Sequence, residues 1–253
     1  MSSIVTVPGD VTLNVPTEQT TTATGTQSDF SLSAVYTHLR CNNTTALTLT
    51  GFTVGGATPT HNCVVIIDNI GSSTVKVSNQ DTGSTAANRC ITPSSNGQII
   101  GANGRMMCVY DVTTQRWRES LLDPGARITV PYNSGDFTGQ DSMTWTVDSG
   151  DLRVFAYRQS ARAVHIMLAI EASSVGGTPS ESLLVAFPGG FTPSDSGSTA
   201  IYLATTVMNN GTLETGRVTP GSSVFEFARV PGTNWTASSN ATRVYCNTVF
   251  RVD

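Results

Sequence analysis

Apolar and polar residues alternate along much of this chain, and the alternation predicts strands. Residues 164, 166, 168 and 170 are Val, Ile, Leu and Ile, with His, Met and Ala between them. An amphipathic helix would instead repeat its apolar residues at intervals of three and four. Residues 143–147 and 244–252 follow the same period of two, and residues 64–67 (VVII) form an apolar run typical of a buried strand. No segment predicts a helix longer than two turns.

Turn residues separate the predicted strands at short intervals. Asn-Gly pairs stand at 96–97, 103–104 and 210–211, and Gly-Gly stands at 189–190. Many short strands with frequent turns are typical of a β-sandwich or jelly roll. The fold class predicted by this pattern is therefore all-β.

The length of 253 residues suggests one large or two small domains. Asp-Pro-Gly at 123–125 is the most plausible boundary, because Pro and Gly punctuate the chain there. We predict two β-sandwich or jelly-roll-like domains, residues 31–120 and residues 131–253, with a linker at 121–130.

Residues 1–30 predict an extended N-terminal arm. Val11, Leu13 and Val15 alternate with polar residues, which indicates a short edge strand. Residues 17–28 are almost wholly Thr, Ser, Gly, Gln and Ala, and such a segment forms no core of its own. An arm of this kind is ordered only when something holds it, either a larger assembly or the chain's own sheet. We expect it to attach the protein to an assembly.

The composition excludes several classes of protein. Charged residues make up 13%, against roughly 25% in a typical globular protein, and about a quarter of the residues are Ser or Thr. The net charge is -4 and no run of Lys and Arg occurs, so we expect no nucleic-acid partner. No apolar run approaches the roughly 20 residues that span a bilayer, so we expect no membrane insertion. The first residues do not resemble a secretory signal.

The five cysteines predict buried free thiols. Their number is odd and no pair has the spacing CxxC, so a disulfide framework is poorly supported. The alternative is a tetrahedral zinc site made of His38, Cys41, His61 and Cys63. On a strand, His61 and Cys63 would share one face but His38 and Cys41 would not. We therefore predict no metal and no cofactor.

Catalytic signatures are missing from the sequence. It contains no GxSxG elbow, no GxxxxGK[ST] phosphate loop and no HExxH. His165 stands inside a predicted strand. Asp148 and Asp151 flank Ser-Gly. Two close carboxylates of this kind could bind calcium or act as the catalytic pair of a glycosidase. The alternative is a hairpin turn capped by Asp. We favour the turn, and predict that the protein is not an enzyme and has no catalytic residues.

Aromatic residues beside Asn and Gly predict a glycan-binding site. Tyr132 stands in PYNSG, and Asn234 and Trp235 stand in GTNW. Flat apolar rings and amide hydrogen bonds suit sugars, so Tyr132, Asn234 and Trp235 are the candidate residues. The alternative for Trp235 is a ring packed under the end of a strand.

Two sets of short motifs resemble appendage proteins of tailed bacteriophages. The first set resembles a β-module of tail fibres, baseplate appendages and head fibres: ANR at 87–89, VYD at 109–111 and RWR at 116–118. The second set resembles the C-terminal tip domains of phage fibres: TWTV at 144–147, AY at 156–157, VGGT at 175–178, FPGGF at 187–191 and NW at 234–235. Such tips usually carry Gly in the turn before the Val-x-Ile strand, whereas residues 160–162 here are Ser-Ala-Arg.

The resemblance implies a location on the virion, a trimeric habit and glycan binding. We therefore expect a virion surface protein, made in the host cytoplasm, that forms a homotrimeric fibre or spike. Its partners would be copies of itself, other virion proteins through the arm, and host-surface carbohydrate. The alternatives are a capsid decoration or stabilising protein without receptor binding, a cellular carbohydrate-binding module and, least favoured, a small hydrolase.

Overall fold

A computed structural model describes the backbone of residues 4–7, 11–14, 16–194, 202–230 and 232–252, and the side chains of residues 16–194, 205–230 and 232–252. Strands make up 57% and helix 4%, which confirms the all-β prediction. The described helical segments are short 3₁₀ turns at Ala86–Asn88, Ser134–Asp136 and Pro188–Gly190. No helix within the described ranges has the length and apolar character needed to cross a bilayer.

The chain divides into two compact units. Unit 1 comprises Met1–Arg127 with Arg158–Ala161, and unit 2 comprises Ile128–Tyr157 with Arg162–Asp253. The main division therefore falls inside the segment 121–130 that the sequence indicates as a linker.

The strands follow one another closely in both units. Those of unit 1 are β1 (Ile4–Val7), β2 (Val11–Asn14), β3 (Thr17–Thr21), β4 (Gly25–Gln27), β5 (Phe30–Leu32), β6 (Tyr36–Cys41), β7 (Leu47–Leu49), β8 (Phe52–Val54), β9 (Val64–Asn69), β10 (Val75–Val77), β11 (Cys90–Ile91), β12 (Gln98–Ile100), β13 (Arg105–Asp111) and β14 (Arg116–Asp123). The remainder are β15 (Ile128–Thr129), β16 (Phe137–Gly139), β17 (Met143–Thr146), β18 (Leu152–Ser160), β19 (Ala163–Gly177), β20 (Ser182–Ala186), β21 (Tyr202–Asn209), β22 (Thr212–Pro220), β23 (Val224–Arg229) and β24 (Ser238–Arg251).

Unit 1 is built from stacked passes of the chain, each containing several short strands. Strand β6 lies parallel to β3 and β9, β7 lies parallel to β4 and β10, and β8 lies parallel to β5. This parallel coil, or solenoid, replaces the sandwich or jelly roll predicted for residues 31–120. Parallel neighbours need a long connection, and here the other strands of each pass provide it. Strands β13 and β14 then close one side by antiparallel pairing with β9 and with each other.

The first pass corrects the prediction of an extended arm. Strands β3, β4 and β5 pair with the second pass, so residues 17–32 belong to unit 1. The Gln19 amide spans this pass by donating to Ser31 O (3.0 Å) and accepting from Ser33 N (2.9 Å). The polar strands β3 and β4 are held here by backbone hydrogen bonds to the next pass, and β5 adds the buried Leu32 to the apolar core. The predicted edge strand is β2, which pairs with β1; Val15 lies outside the described residues.

Trp117 joins opposite sides of the coil core. Its indole Nε1 donates to Phe52 O at 3.0 Å, and its ring meets Phe52 and Tyr110 edge to face at centroid distances of 5.4 and 5.3 Å. Inward positions bury the rest of this core, which consists of Cys41, Cys63, Cys90 and Cys108 together with Leu32, Leu39, Leu47, Leu49, Val65, Ile67, Val75, Val77, Ile100 and Met106. Every second residue of β6, β9 and β13 therefore points inward, as the period of two predicts.

Unit 2 is an antiparallel arrangement around the long strands β19 and β24. The described strands form one hydrogen-bonded path in the order β15-β18-β19-β24-β21-β22-β23-β20-β16, and β17 pairs with the end of β19. The predicted sandwich would instead contain two separate sheets. The core of unit 2 is aromatic. The Phe225 ring centroid lies 5.3 Å from the centroids of Phe187 and Phe227 and 5.8 Å from that of Phe250. The alternating apolar residues 164–170 are buried in it, as predicted.

Glu119 is an unusual member of the unit 1 core. It stands opposite Cys108 in the register of β13 and β14 and is 7% exposed. Neither carboxylate oxygen has a hydrogen-bond partner among the described residues. Burial raises its pKa from 4.5 to about 7, because the charged form loses its hydration.

The variant E119Q should stabilise unit 1 at alkaline pH only. Because folding raises the pKa of Glu119, the free energy of unfolding is highest below about pH 4.5. It falls as the pH rises towards 7 and stays lower above pH 7. A neutral amide of the same shape avoids this loss, which is about 3 kcal/mol at pH 8. Urea titrations at pH 5 and pH 8, followed by tryptophan fluorescence, should give a higher midpoint for E119Q at pH 8 alone. The exposed variant E18Q is the control, and equal gains at both pH values would contradict this account.

The turn between β18 and β19 offers a second stability test. Ala161 has a φ of 51°, in the left-handed region that favours Gly. This is the turn where the resembling phage tips carry Gly. The variant A161G should therefore raise the free energy of unfolding by about 1 kcal/mol, measured by urea unfolding. A lower free energy of unfolding would indicate that the Ala161 methyl group makes contacts worth more than the backbone strain.

Candidate functional site

Trp235 is a core residue, which removes it from the predicted glycan site. Its side chain is 2% exposed, so neither face of the ring is open to a sugar. The indole Nε1 donates to Glu181 O at 3.1 Å, and the backbone N–H donates to Ser180 O at 2.9 Å. Trp235 therefore packs against the start of β20, which was the alternative interpretation. The sequence reveals that the residue is aromatic but not which side of the loop it faces.

Asn234 also holds the loop in place. Its amide Nδ2 donates to Pro179 O at 3.0 Å, and its backbone carbonyl accepts a hydrogen bond from the Arg229 guanidinium. Arg229 is in turn paired with the Glu214 carboxylate, whose Oε1 lies 2.9 Å from Nη2. These contacts connect the loop before β24 to the loop before β20 and to β22. The Asn234 amide is thus engaged within the protein fold.

Tyr132 remains accessible, and its ring is fixed in position. The residue is 39% exposed, its hydroxyl donates to Val147 O at 2.8 Å, and its ring stacks on Phe137 at a centroid distance of 6.3 Å and an angle of 19°. A ring held at both its tip and one face loses little conformational freedom when a ligand binds. Tyr132 is therefore the member of the predicted trio with the properties of a binding residue.

Tyr132 borders a surface groove in unit 2. The groove has a volume of about 390 Å³, and Asn234 and Trp235 do not line it. Its other lining residues include Pro131, Ser149, Leu152, Arg153 and Val154. An exposed aromatic ring, exposed aliphatic groups and a guanidinium provide both apolar and hydrogen-bonding contacts. This combination suits a sugar ring, which has apolar C–H faces and polar edges.

The sequence did not indicate the β18 side of this groove. Val154 is 38% exposed, while the next three residues along β18 are buried. The only signal is that apolar residues at 154–157 do not alternate. Arg153 is held by Glu171 (Nε to Oε2, 3.1 Å), and this hydrogen bond, followed by that from the Tyr245 hydroxyl, lowers the pKa of the Glu171 carboxyl.

The Asp148 and Asp151 pair forms a turn, as favoured from the sequence. The Asp151 carboxylate accepts from Asp148 N at 3.0 Å, and Asp151 N donates to Asp148 O at 2.9 Å. The turn connects β17 to β18 and positions Ser149 at the groove. The Asp151 carboxylate is therefore engaged with the backbone of its own turn.

The four residues considered for zinc do not come together. His38 is on the outer face of β6, where its Nε2 lies 2.7 Å from Asp68 Oδ2, whereas Cys41 points into the core. The Cys63 thiol donates to His61 O at 3.3 Å. Throughout the part of the chain that the structure describes, no group of three or more His, Cys, Asp or Glu side chains is placed to hold a metal ion.

The five cysteines are buried free thiols, as predicted. Burial raises the pKa of Cys41 and of Cys246 to about 12, because a thiolate would lose its hydration there. The reactive form is thus scarce at neutral pH, and these two thiols are poor nucleophiles.

No protein-family model matches this chain, and no curated protein does. The resemblance to phage appendages therefore stays a prediction from short motifs. The function has to be proposed from the chemistry of the exposed residues.

The variant W235A should destabilise unit 2 rather than act selectively on a ligand. Removing a buried Trp leaves a cavity and costs about 3–5 kcal/mol, and the W235F variant should lose only about 1 kcal/mol with the Glu181 hydrogen bond. Thermal unfolding of the two variants beside the wild type measures the difference. A W235A protein as stable as the wild type would contradict the core assignment.

Proposed function

We propose that this chain is a virion surface protein that forms a homotrimeric fibre or spike and contacts host-surface carbohydrate through the groove beside Tyr132. The observation that carries the carbohydrate contact is the Tyr132 ring, which is exposed and yet fixed by Val147 O and Phe137. The proposal involves no catalytic step, cofactor, nucleic acid or membrane insertion. The partners are copies of the chain, other virion proteins and glycans.

Unpaired strand edges support an assembled state. Strands β3, β4 and β5 each end the hydrogen-bonded path of their sheet among the described strands. Exposed edges invite uncontrolled pairing with other chains, and a closed symmetric assembly protects them. In this proposal the attachment arm is confined to residues 1–16, since the rest of the predicted arm is part of the coil. In this proposal that arm docks on other virion proteins, and unit 2 carries the contact with the host.

A tip of jelly-roll type is part of the proposal for unit 2. Strand β16 ends the hydrogen-bonded path, yet a Cβ added at Gly139 would lie 2.5 Å from the carbonyl oxygen of Met143, the first residue of β17, which pairs with Gly177 of β19. This close approach supports a sheet that curls back on itself. A curled antiparallel sheet is suited to a stable tip because it leaves fewer free edges.

Glycan binding by Tyr132 variants distinguishes a receptor-binding fibre from a decoration protein without receptor binding. The variant Y132A should weaken binding to a glycan array roughly tenfold or more, since the stacking surface is lost. The variant Y132F keeps the ring and should retain most of the binding. Sedimentation at micromolar concentration should give a trimer for all three proteins, and labelled electron microscopy of intact particles should place the protein on their surface.

Different failures of this test have different meanings. A trimer on the particle that binds no glycan would support the decoration alternative. A monomer that binds glycans and is not found on particles would instead support a cellular carbohydrate-binding module.

A further inference from the structure

A second cavity, of about 350 Å³, lies in unit 1 where β9 ends, β13 begins and β14 ends. Its volume is within the roughly 300–1,000 Å³ typical of small-molecule sites. The residues that give it chemical character are Asp68, Ile70, Asn103, Arg105 and Asp123. We call this cavity the Asp68 cleft. It is separate from the Tyr132 groove, which belongs to unit 2.

The wall of the cleft beside Asn103 is a tight turn. Asn103 has a φ of 61°, and its backbone N–H donates to Asn69 O at 2.7 Å. A side chain at the next residue, Gly104, would come within 2.8 Å of Ile100 Cβ and 2.9 Å of Gly101 O. The close packing fixes the turn and therefore the position of Asn103. Its side-chain amide provides two donors and one acceptor at the cleft.

A bidentate ion pair forms the adjacent wall. Asp68 accepts from Arg105 Nε and Nη2, the latter at 2.8 Å, and from His38 Nε2 at 2.7 Å. Burial pulls the pKa of Asp68 upward, but the hydrogen bonds from Arg105 and His38 outweigh burial and lower it. Asp68 thus orients the guanidinium, whose side chain is 52% exposed. The Nη1 group of Arg105 has no hydrogen bond among the described residues and is a donor available to a ligand.

Asp123 and Ile70 complete the set of contacts. One Asp123 carboxylate oxygen accepts from Gly125 N at 2.8 Å, which fixes the side chain and leaves the second oxygen as an acceptor. Ile70 is 38% exposed, so the cleft has an apolar contact beside its polar groups. Donors, acceptors and an aliphatic surface together match a ring with several hydroxyl groups, which has polar edges and apolar C–H faces.

The charges of the cleft decide between classes of ligand. Arg105 is neutralised by Asp68, and Asp123 adds a negative charge, so an anionic ligand would be repelled. A metal ion is disfavoured because the cleft lacks a group of three ligating side chains among the described residues. We propose that the Asp68 cleft binds a neutral saccharide. This site rests neither on the virion assignment nor on the Tyr132 groove.

Saturation-transfer NMR with neutral monosaccharides tests the proposal. The probes are glucose, galactose, mannose, rhamnose and N-acetylglucosamine at millimolar concentration, with inorganic phosphate and Ca²⁺ as the other arms. At least one sugar should bind the full-length protein, and N103G should weaken that binding about tenfold. The change to Gly preserves the left-handed backbone and removes only the amide side chain. D123N, which keeps the acceptor for Gly125 N, should weaken binding several-fold.

Q115G is the matched control. Gln115 also has a left-handed φ, of 51°, and is exposed in the turn between β13 and β14. Its replacement by Gly should leave sugar binding unchanged while repeating the backbone effect of N103G. A sugar signal that survives in N103G and disappears in Y132A would overturn the proposal in favour of the other groove. Binding of phosphate or Ca²⁺ alone, or of none of the probes, would overturn the ligand class.

Discussion

Backbone hydrogen bonding between parallel passes is the constraint on which unit 1 depends. Each pass must return the chain to the same lateral position, because β3, β6 and β9 pair residue by residue in one register. Once that register is set, every second side chain faces the interior and the others face outward. The polar strands β3 and β4 follow from this constraint, since their backbones are hydrogen-bonded to the second pass, and Leu32 of β5 adds an apolar side chain of the first pass to the core. Inside the coil, Trp117 then connects β14 to β8 through the Phe52 carbonyl.

The same register builds the polar cleft on the outer side. Arg40 stands opposite Asp68, Asp68 opposite Arg105 and Arg105 opposite Asp123, across four adjacent strands. Charges of opposite sign therefore alternate along the row, in which Asp68 and Arg105 form an ion pair, whereas Arg40 pairs with Glu18. Exposed ion pairs contribute little to stability on their own. The more important consequence is positional, because the row fixes donors and acceptors at the edge of a cavity.

Unit 2 depends on a different interaction, the packing of aromatic rings around Phe225. Ligands cannot reach the rings of this core, nor a ring buried elsewhere in the unit, such as that of Trp235. Tyr132 remains accessible to a ligand, because its ring stacks on Phe137 through one face and the residue is partly exposed. Whether an aromatic residue stabilises the fold or recognises a ligand is therefore decided by which of its faces is covered.

The strand content, the inward residues of β19, the free thiols and the Asp148–Asp151 turn could all be predicted from the sequence. All of these depend on local spacing: a period of two, a pair of turn residues or a missing partner cysteine. The sequence did not predict that unit 1 is a parallel coil, that residues 17–32 belong to it, that Trp235 is buried or that Asp68 lies between His38 and Arg105. Those outcomes depend on which strand lies beside which. Residue 68 is 30 positions from residue 38 and 37 positions from residue 105 along the chain, and the period of two is the same for a parallel and an antiparallel neighbour.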